Sequence, residues 1–195
     1  MATRGPLGLV CEMAEIFDEL GVAYALGGSM ASSLLGEPRS TVDVDFAVQL
    51  DVTSGESLLG RVGADFYVPF ESARTAIAAH SSFNLVDTVN ALKVGLFVVG
   101  GDLLDRMQIE RRVLVPVPGS AHGIWVTSAE DQVLRKLDWF RRAGSLSDRQ
   151  WRDVVGILRV RQGFLDVDYL RRTAQVVGLA DDLAEALRQV QASES

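Results

Sequence analysis

The chain has 195 residues, 48% apolar and 23% charged, with a formal net charge of −7. That composition excludes a globally disordered protein and accommodates one sizeable domain, or a small α/β core with a helical appendage. The single cysteine, Cys11, excludes an internal disulfide and a cysteine-based zinc cluster. No run is long enough to span a bilayer: the apolar stretch 92–99 is strand-sized and broken by Lys93. No secretory leader is legible at the start, so the expected location is cytoplasmic with no membrane partner.

In chain order, residues 6–20 read as a first helix. Pro6 suits its first turn, Val10, Met13, Ala14, Phe17 and Leu20 form one apolar face, and Gly21 stops it. Residues 22–26 read as a short buried strand, and Gly27 and Gly28 turn the chain into a helix over 29–35. Residues 41–48 alternate, with Val42, Val44 and Phe46 on one face and Asp43 and Asp45 on the other. Helices are expected over 51–60 and 69–80, followed by strands over 82–87 and 92–99 joined by a turn around Asn90. A short helix near Asp102 leads to a strand over 113–117, then a loop containing Pro116, Pro118 and Gly119. Beyond a short strand around Trp125 the chain is mainly helical. Ser128 with Asp131 and Ser147 with Gln150 resemble capping boxes, and Asp166 and Asp181 are expected helix caps. The expected organisation is an α/β core over 1–122 and a mainly helical region over 123–195.

Charge follows the same division. The stretch up to His122 carries 8 basic and 15 acidic residues, whereas the remainder carries 11 of each. An acidic first half is a poor surface for nonspecific nucleic-acid binding but suits a site that collects divalent cations.

The chemically informative stretch is Gly27, Gly28 and Ser29, thirteen intervening residues, then Asp43-Val44-Asp45. Two glycines between a strand and a helix let the backbone bend sharply and approach a ligand closely. The helix beginning there offers free N–H groups and the positive end of its dipole to an anion, and Ser29 adds a hydroxyl. Asp43 and Asp45 share a face of one strand because side-chain direction repeats every two residues. Their mutual repulsion is relieved when Mg²⁺ or Mn²⁺ sits between them. Phosphates at a helix start, with a metal on adjacent carboxylates, are the parts used for phosphoryl-type transfer.

The run from Gly27 to Ser29, together with Arg39-Ser40-Thr41-Val42-Asp43-Val44-Asp45-Phe46, resembles the signature of the nucleotidyltransferase superfamily. It is similar in particular to the branch that includes AbiEii-type toxins of bacterial toxin–antitoxin systems. The resemblance continues at residues 130–137, which include Lys136, and at 151–154, which include Asp153. It implies an α/β (α+β) fold, a mixed sheet core flanked by helices with a C-terminal helical region. It also implies a transferase that moves a nucleotidyl group from a nucleoside triphosphate, with Mg²⁺ or Mn²⁺, to a hydroxyl on RNA, protein or a small molecule. An antitoxin partner comes with that branch. In these terms Asp43 and Asp45 are the catalytic and metal-binding pair. Gly27, Gly28, Ser29, Arg39, Thr41 and Lys136 hold the nucleotide, and Asp153 is an accessory residue. Read from the residues alone, Lys136 is equally an ordinary surface lysine and Asp153 equally a salt-bridging carboxylate.

One position departs from the resemblance. Members carry a third carboxylate on a neighbouring strand, in a Lys-x-Asp context, where it completes the metal site and helps deprotonate the attacking hydroxyl. Here Lys93-Val94-Gly95 places a glycine at that position, and Asp87 at the other end of the hairpin is the candidate substitute. Loss of a general base and ligand costs about two to four orders of magnitude in rate. Two readings follow: an active nucleotidyltransferase, or a catalytically degenerate module that binds nucleotide or a protein partner.

Overall fold

The computed structural model describes residues 5–192. These residues fall into two compact units, 5–30 with 41–127 and 31–40 with 128–192. The sheet thus belongs wholly to the first unit, and residues 31–40 group with the second.

The first unit begins with α1 (Pro6–Glu19), whose Leu9, Met13 and Phe17 are buried as the 3.6-residue spacing requires. There follow β1 (Tyr24–Leu26), the start of α2 (Gly28–Leu35) and β2 (Val44–Val48). Next come α3 (Val52–Val62), β3 (Phe66–Tyr67), α4 (Phe70–Ala78), β4 (Ser82–Asp87) and β5 (Lys93–Val98). Then α5 (Leu103–Glu110), β6 (Val113–Val115) and β7 (Ile124–Val126) complete it. The strands form one seven-stranded sheet in the order β3-β4-β5-β2-β1-β7-β6. It is mixed: β2 runs parallel to β5 and β1 parallel to β7, while the other pairs are antiparallel. The two-residue β3 was not legible in the sequence, being too short to show an alternation.

One face of the sheet is the core. Val44, Phe46 and Val48 of β2, Val94, Leu96 and Val98 of β5, and Phe83 and Leu85 of β4 all point into it and are buried. Phe17, Tyr24 and Phe46 form an aromatic cluster there, with ring centroids 5.1–5.8 Å apart. On the opposite face Ala25 and Ala47 are covered by Ile109 of α5. The small side chains of β1 and β2 let that helix approach. Beyond its reach the same face is open, and Lys93, Phe97 and Asn84 are exposed.

The second unit contains α6 (Ala129–Arg142), α7 (Asp148–Val160), α8 (Val167–Val176) and α9 (Ala180–Ala192), packed α6 on α7 and α8, and α9 on α7 and α8. Ser128 caps α6 as its spacing predicts. Its hydroxyl accepts from the Asp131 backbone N–H and donates to the Asp131 carboxylate, which also receives the Tyr169 hydroxyl at 2.5 Å. Asp166 caps α8 through the Tyr169 N–H. Ser147 precedes α7 without a side-chain cap, and Asp181 lies inside the first turn of α9 instead of before it. The tail of α2 and the loop after it are fixed to this unit. Gln132 donates to Ser32 at 2.9 Å, Arg161 donates to the Leu35 carbonyl at 3.0 Å, and Arg159 pairs with Glu37 at 2.5 Å.

Candidate active site

The elbow between β1 and α2 is built on Gly28, not on both glycines equally. Gly28 has φ +57°, and a Cβ there would overlap the Asp45 carboxylate. Both facts exclude any other residue without strain. Gly27 has ordinary space around it, the nearest atom to a Cβ being the Asp45 carbonyl at 3.9 Å. Its N–H donates to that carbonyl at 2.8 Å and so extends the β1–β2 ladder by one residue. Gly27 was expected to offer its backbone to a nucleotide; that donor is already spent. Ser29 falls in the first turn of α2 and is only 9% exposed.

Asp45 lies within β2, and its carboxylate occupies a slot between two glycines. One oxygen faces Gly28, and the other lies 2.6 Å from where a Cβ of Gly95 would stand. The register is direct, since Asp45 is paired with Gly95 in the parallel β2–β5 ladder. Glycine at 95 is therefore what leaves room for the Asp45 carboxylate where it stands.

Asp43 sits one residue before the strand, because ladder pairing begins at Val44. The alternation expected from residue 41 thus starts late, and Val42 is 59% exposed instead of joining the apolar face. Asp43 is half-buried, and among the described residues nothing pairs with it. One step back along the same register stands Lys93, at the start of β5, exposed and also without a partner among the described residues. Thr41 lies half-buried on the extended segment leading to Asp43.

Asp87 does not reach this corner. It ends β4 on the face of Phe83 and Leu85, opposite to Asn84, and is fully buried. Its carboxylate accepts from the Val89 backbone N–H and the Asn90 side chain, so it ties off the β4–β5 turn. The expectation that it substitutes for the missing carboxylate is corrected by strand parity.

In the second unit Lys136 is 1% exposed, and its ammonium lies 2.8 Å from Asp153 and 5.5 Å from the Trp139 ring centroid. Arg39 grips the same carboxylate with two hydrogen bonds, at 2.8 and 3.1 Å. Burial alone would push the Asp153 carboxyl up, but the hydrogen bonds from Arg39 and Lys136 outweigh it and hold the group below the ordinary carboxylate range. Lys136 and Asp153 thus form an ion pair in the helical unit, with the ammonium committed to a carboxylate and not presented to a phosphate. Arg39 also lines a cavity of about 320 Å³ with Glu37, Arg149 and Arg152.

Among the described residues no three His, Cys, Asp or Glu side chains are grouped to hold a metal. Asp45 at the elbow, with Asp43 two residues earlier in the chain, would make a donor set of two carboxylates. That set fits Mg²⁺ or Mn²⁺, which take one or two carboxylates and complete the shell with water and substrate phosphate oxygens. It does not fit a metal caged by protein alone.

The fold is nucleotidyltransferase-like. It is similar to that of an antigenic nucleotidyltransferase-like protein from Paracoccidioides brasiliensis, with TM-score 0.57 and 21% identity over 96% of this chain and 94% of that one. Further matched structures are the lincosamide antibiotic adenylyltransferase LnuA in lincomycin-bound form (TM-score 0.46, 12% identity, 75% and 92% of the two chains) and a putative nucleotidyltransferase from Thermotoga maritima (TM-score 0.45, 16% identity, 73% and 91%). No family model and no curated protein matches the chain. Among the described residues no helix is long and apolar enough to cross a membrane.

Proposed function

We propose that the chain is a nucleotidyltransferase dependent on Mg²⁺ or Mn²⁺, passing a nucleotidyl group from a nucleoside triphosphate to a hydroxyl on RNA, protein or a small molecule. The observation that carries this reading is the Asp45 carboxylate lying in its two-glycine slot beside the start of α2, with Asp43, which has no partner among the described residues, two residues away. Asp43 and Asp45 hold the cation, which when bound offsets the negative charge of the phosphate oxygens. The α2 start and Ser29 orient the phosphates, Thr41 shapes the approach, and Lys93 adds positive charge at the edge. Arg39 and Lys136 are assigned to holding Asp153. An AbiEii-type role, with an antitoxin partner in the cytoplasm, is supported by the residue run from Arg39 to Phe46.

Gly95 favours a second reading, a degenerate module that binds nucleotide without turnover, since no carboxylate stands beside Asp45 on β5. Calorimetric titration with each nucleoside triphosphate and Mg²⁺, followed by radiolabel transfer to RNA and protein, separates the two. Metal-dependent binding with transfer that disappears in Asp43→Asn is the expected result. Tight binding without transfer selects the degenerate module, and absence of binding at millimolar nucleotide overturns both.

A further inference from the structure

The exposed sheet face beside the elbow holds, in the row of Asp45, an oxygen donor that the reading above does not use. Asn84 is paired with Gly95 in the antiparallel β4–β5 ladder, while Asp45 is paired with the same glycine from the other side. The three residues form one row across the sheet, and directly opposed residues share a face. The point where a Cβ of Gly95 would stand is 2.6 Å from Asp45 Oδ1 and 3.6 Å from Asn84 Oδ1. Two oxygens therefore converge, from opposite sides, on the gap that a third carboxylate would otherwise fill. Other side chains of that face are the Phe97 ring, 3.4 Å from the same point, the Lys93 cation with Val86 opposite it, and Ser82 one pair further along, opposite Phe97. Of these, only Asn84 combines a carbonyl-type oxygen with a place in the Asp45 row.

We propose that Asn84 supplies, across the gap at Gly95, the neutral oxygen that completes the cation site of Asp43 and Asp45. This rests on the nucleotidyltransferase reading and deepens it. An amide carbonyl is a hard oxygen ligand of the kind Mg²⁺ and Mn²⁺ accept, but at neutral pH it takes up no proton. The arrangement separates the two tasks of a third carboxylate: the ligand is kept and the base is given up. It also leaves the site one negative charge poorer, so the cation is held more weakly until a triphosphate brings its own oxygens.

The test is Mn²⁺ titration of the whole chain, followed by electron paramagnetic resonance in the presence of a non-hydrolysable nucleoside triphosphate analogue. Asn84→Leu is expected to weaken Mn²⁺ binding roughly tenfold and Asn84→Asp to tighten it by a similar factor, with Ser82→Ala, on the same strand and face, unchanged. In the unaltered protein, diamagnetic Mg²⁺ is expected to shift the Asn84 side-chain amide resonance, as ligation of its carbonyl oxygen requires, a readout that needs no variant to fold. Mn²⁺ affinity within about twofold in Asn84→Leu, while Asp45→Asn abolishes binding, overturns the role of Asn84 and leaves the site reading intact. Binding indifferent to Asp45→Asn overturns both.

Discussion

Two buried or half-buried acidic centres in this chain are treated in opposite ways. In the helical unit Asp153 receives three hydrogen bonds from two cations, so its carboxylate is fully engaged within the chain. At the elbow of the sheet unit Asp43 has no partner among the described residues, and the Asp45 carboxylate is accommodated by removing side chains from its neighbours Gly28 and Gly95. The first arrangement is self-sufficient and contributes to holding helices together. The second leaves the Asp43 carboxylate without a cation among the described residues, which makes sense where a ligand supplies the compensation. Residue type alone does not separate a structural aspartate from a binding one; the local charge balance does.

The largest expected effect breaks the first centre. Asp153→Ala takes the Asp153 carboxylate away from the buried Lys136 ammonium and is expected to cost about 3–5 kcal/mol, read as a lowered urea midpoint at unchanged slope. Replacing the pair together, with Lys136→Met and Asp153→Leu, is expected to recover part of that loss, because the buried ammonium is removed with its carboxylate and the Arg39 guanidinium, 29% exposed, can turn to water. If the double variant is as unstable as the single one, the ion pair has a role beyond charge balance.

Acid should act on the same centre in a defined direction. The Asp153 carboxyl is held below its unfolded value, so the unfolded chain binds the proton more readily. The stability it contributes is present above the unfolded carboxylate range, near ~3.9, and is lost as pH falls through the folded value. Urea midpoints measured along the acid limb should fall more gently in Asp153→Asn than in the unaltered chain.

At the elbow the two glycines should separate. Gly28→Ala forces a side chain into a positive-φ position against the Asp45 carboxylate and is expected to cost about 1–2 kcal/mol. Gly27→Ala meets only the Asp45 carbonyl at 3.9 Å and should change stability by less than about 0.5 kcal/mol. Equal losses at both would refute the claim that one glycine makes the elbow.

The smallest stability change belongs to the residue proposed to matter most for ligand. Asp43→Asn removes an unpartnered charge and should shift stability by no more than about 0.5 kcal/mol, while Mg²⁺-dependent nucleotide binding is lost in calorimetry. A large loss of stability with binding retained would reverse the comparison of the two centres.

The sequence determined most of the element order and the outline of the elbow, since these depend on short-range signals. Periodicity of 3.6 marked α1, alternation marked β4 and β5, and the Ser128–Asp131 spacing marked the start of α6. The Gly-Gly-Ser run and the paired aspartates were legible for the same reason. What lay beyond its reach were facts of pairing between distant segments. The partnership of Lys136 and Arg39 with Asp153 joins residues more than a hundred positions apart in the case of Arg39. The row Asp45, Gly95 and Asn84 exists only once three strands have taken their register, and the same parity turns Asp87 away into the core. Local propensity specifies each segment alone. Only the assembled tertiary structure decides which carboxylate meets a cation and which is left facing a gap, because that choice rests on strand register and helix packing, which no short window of residues contains.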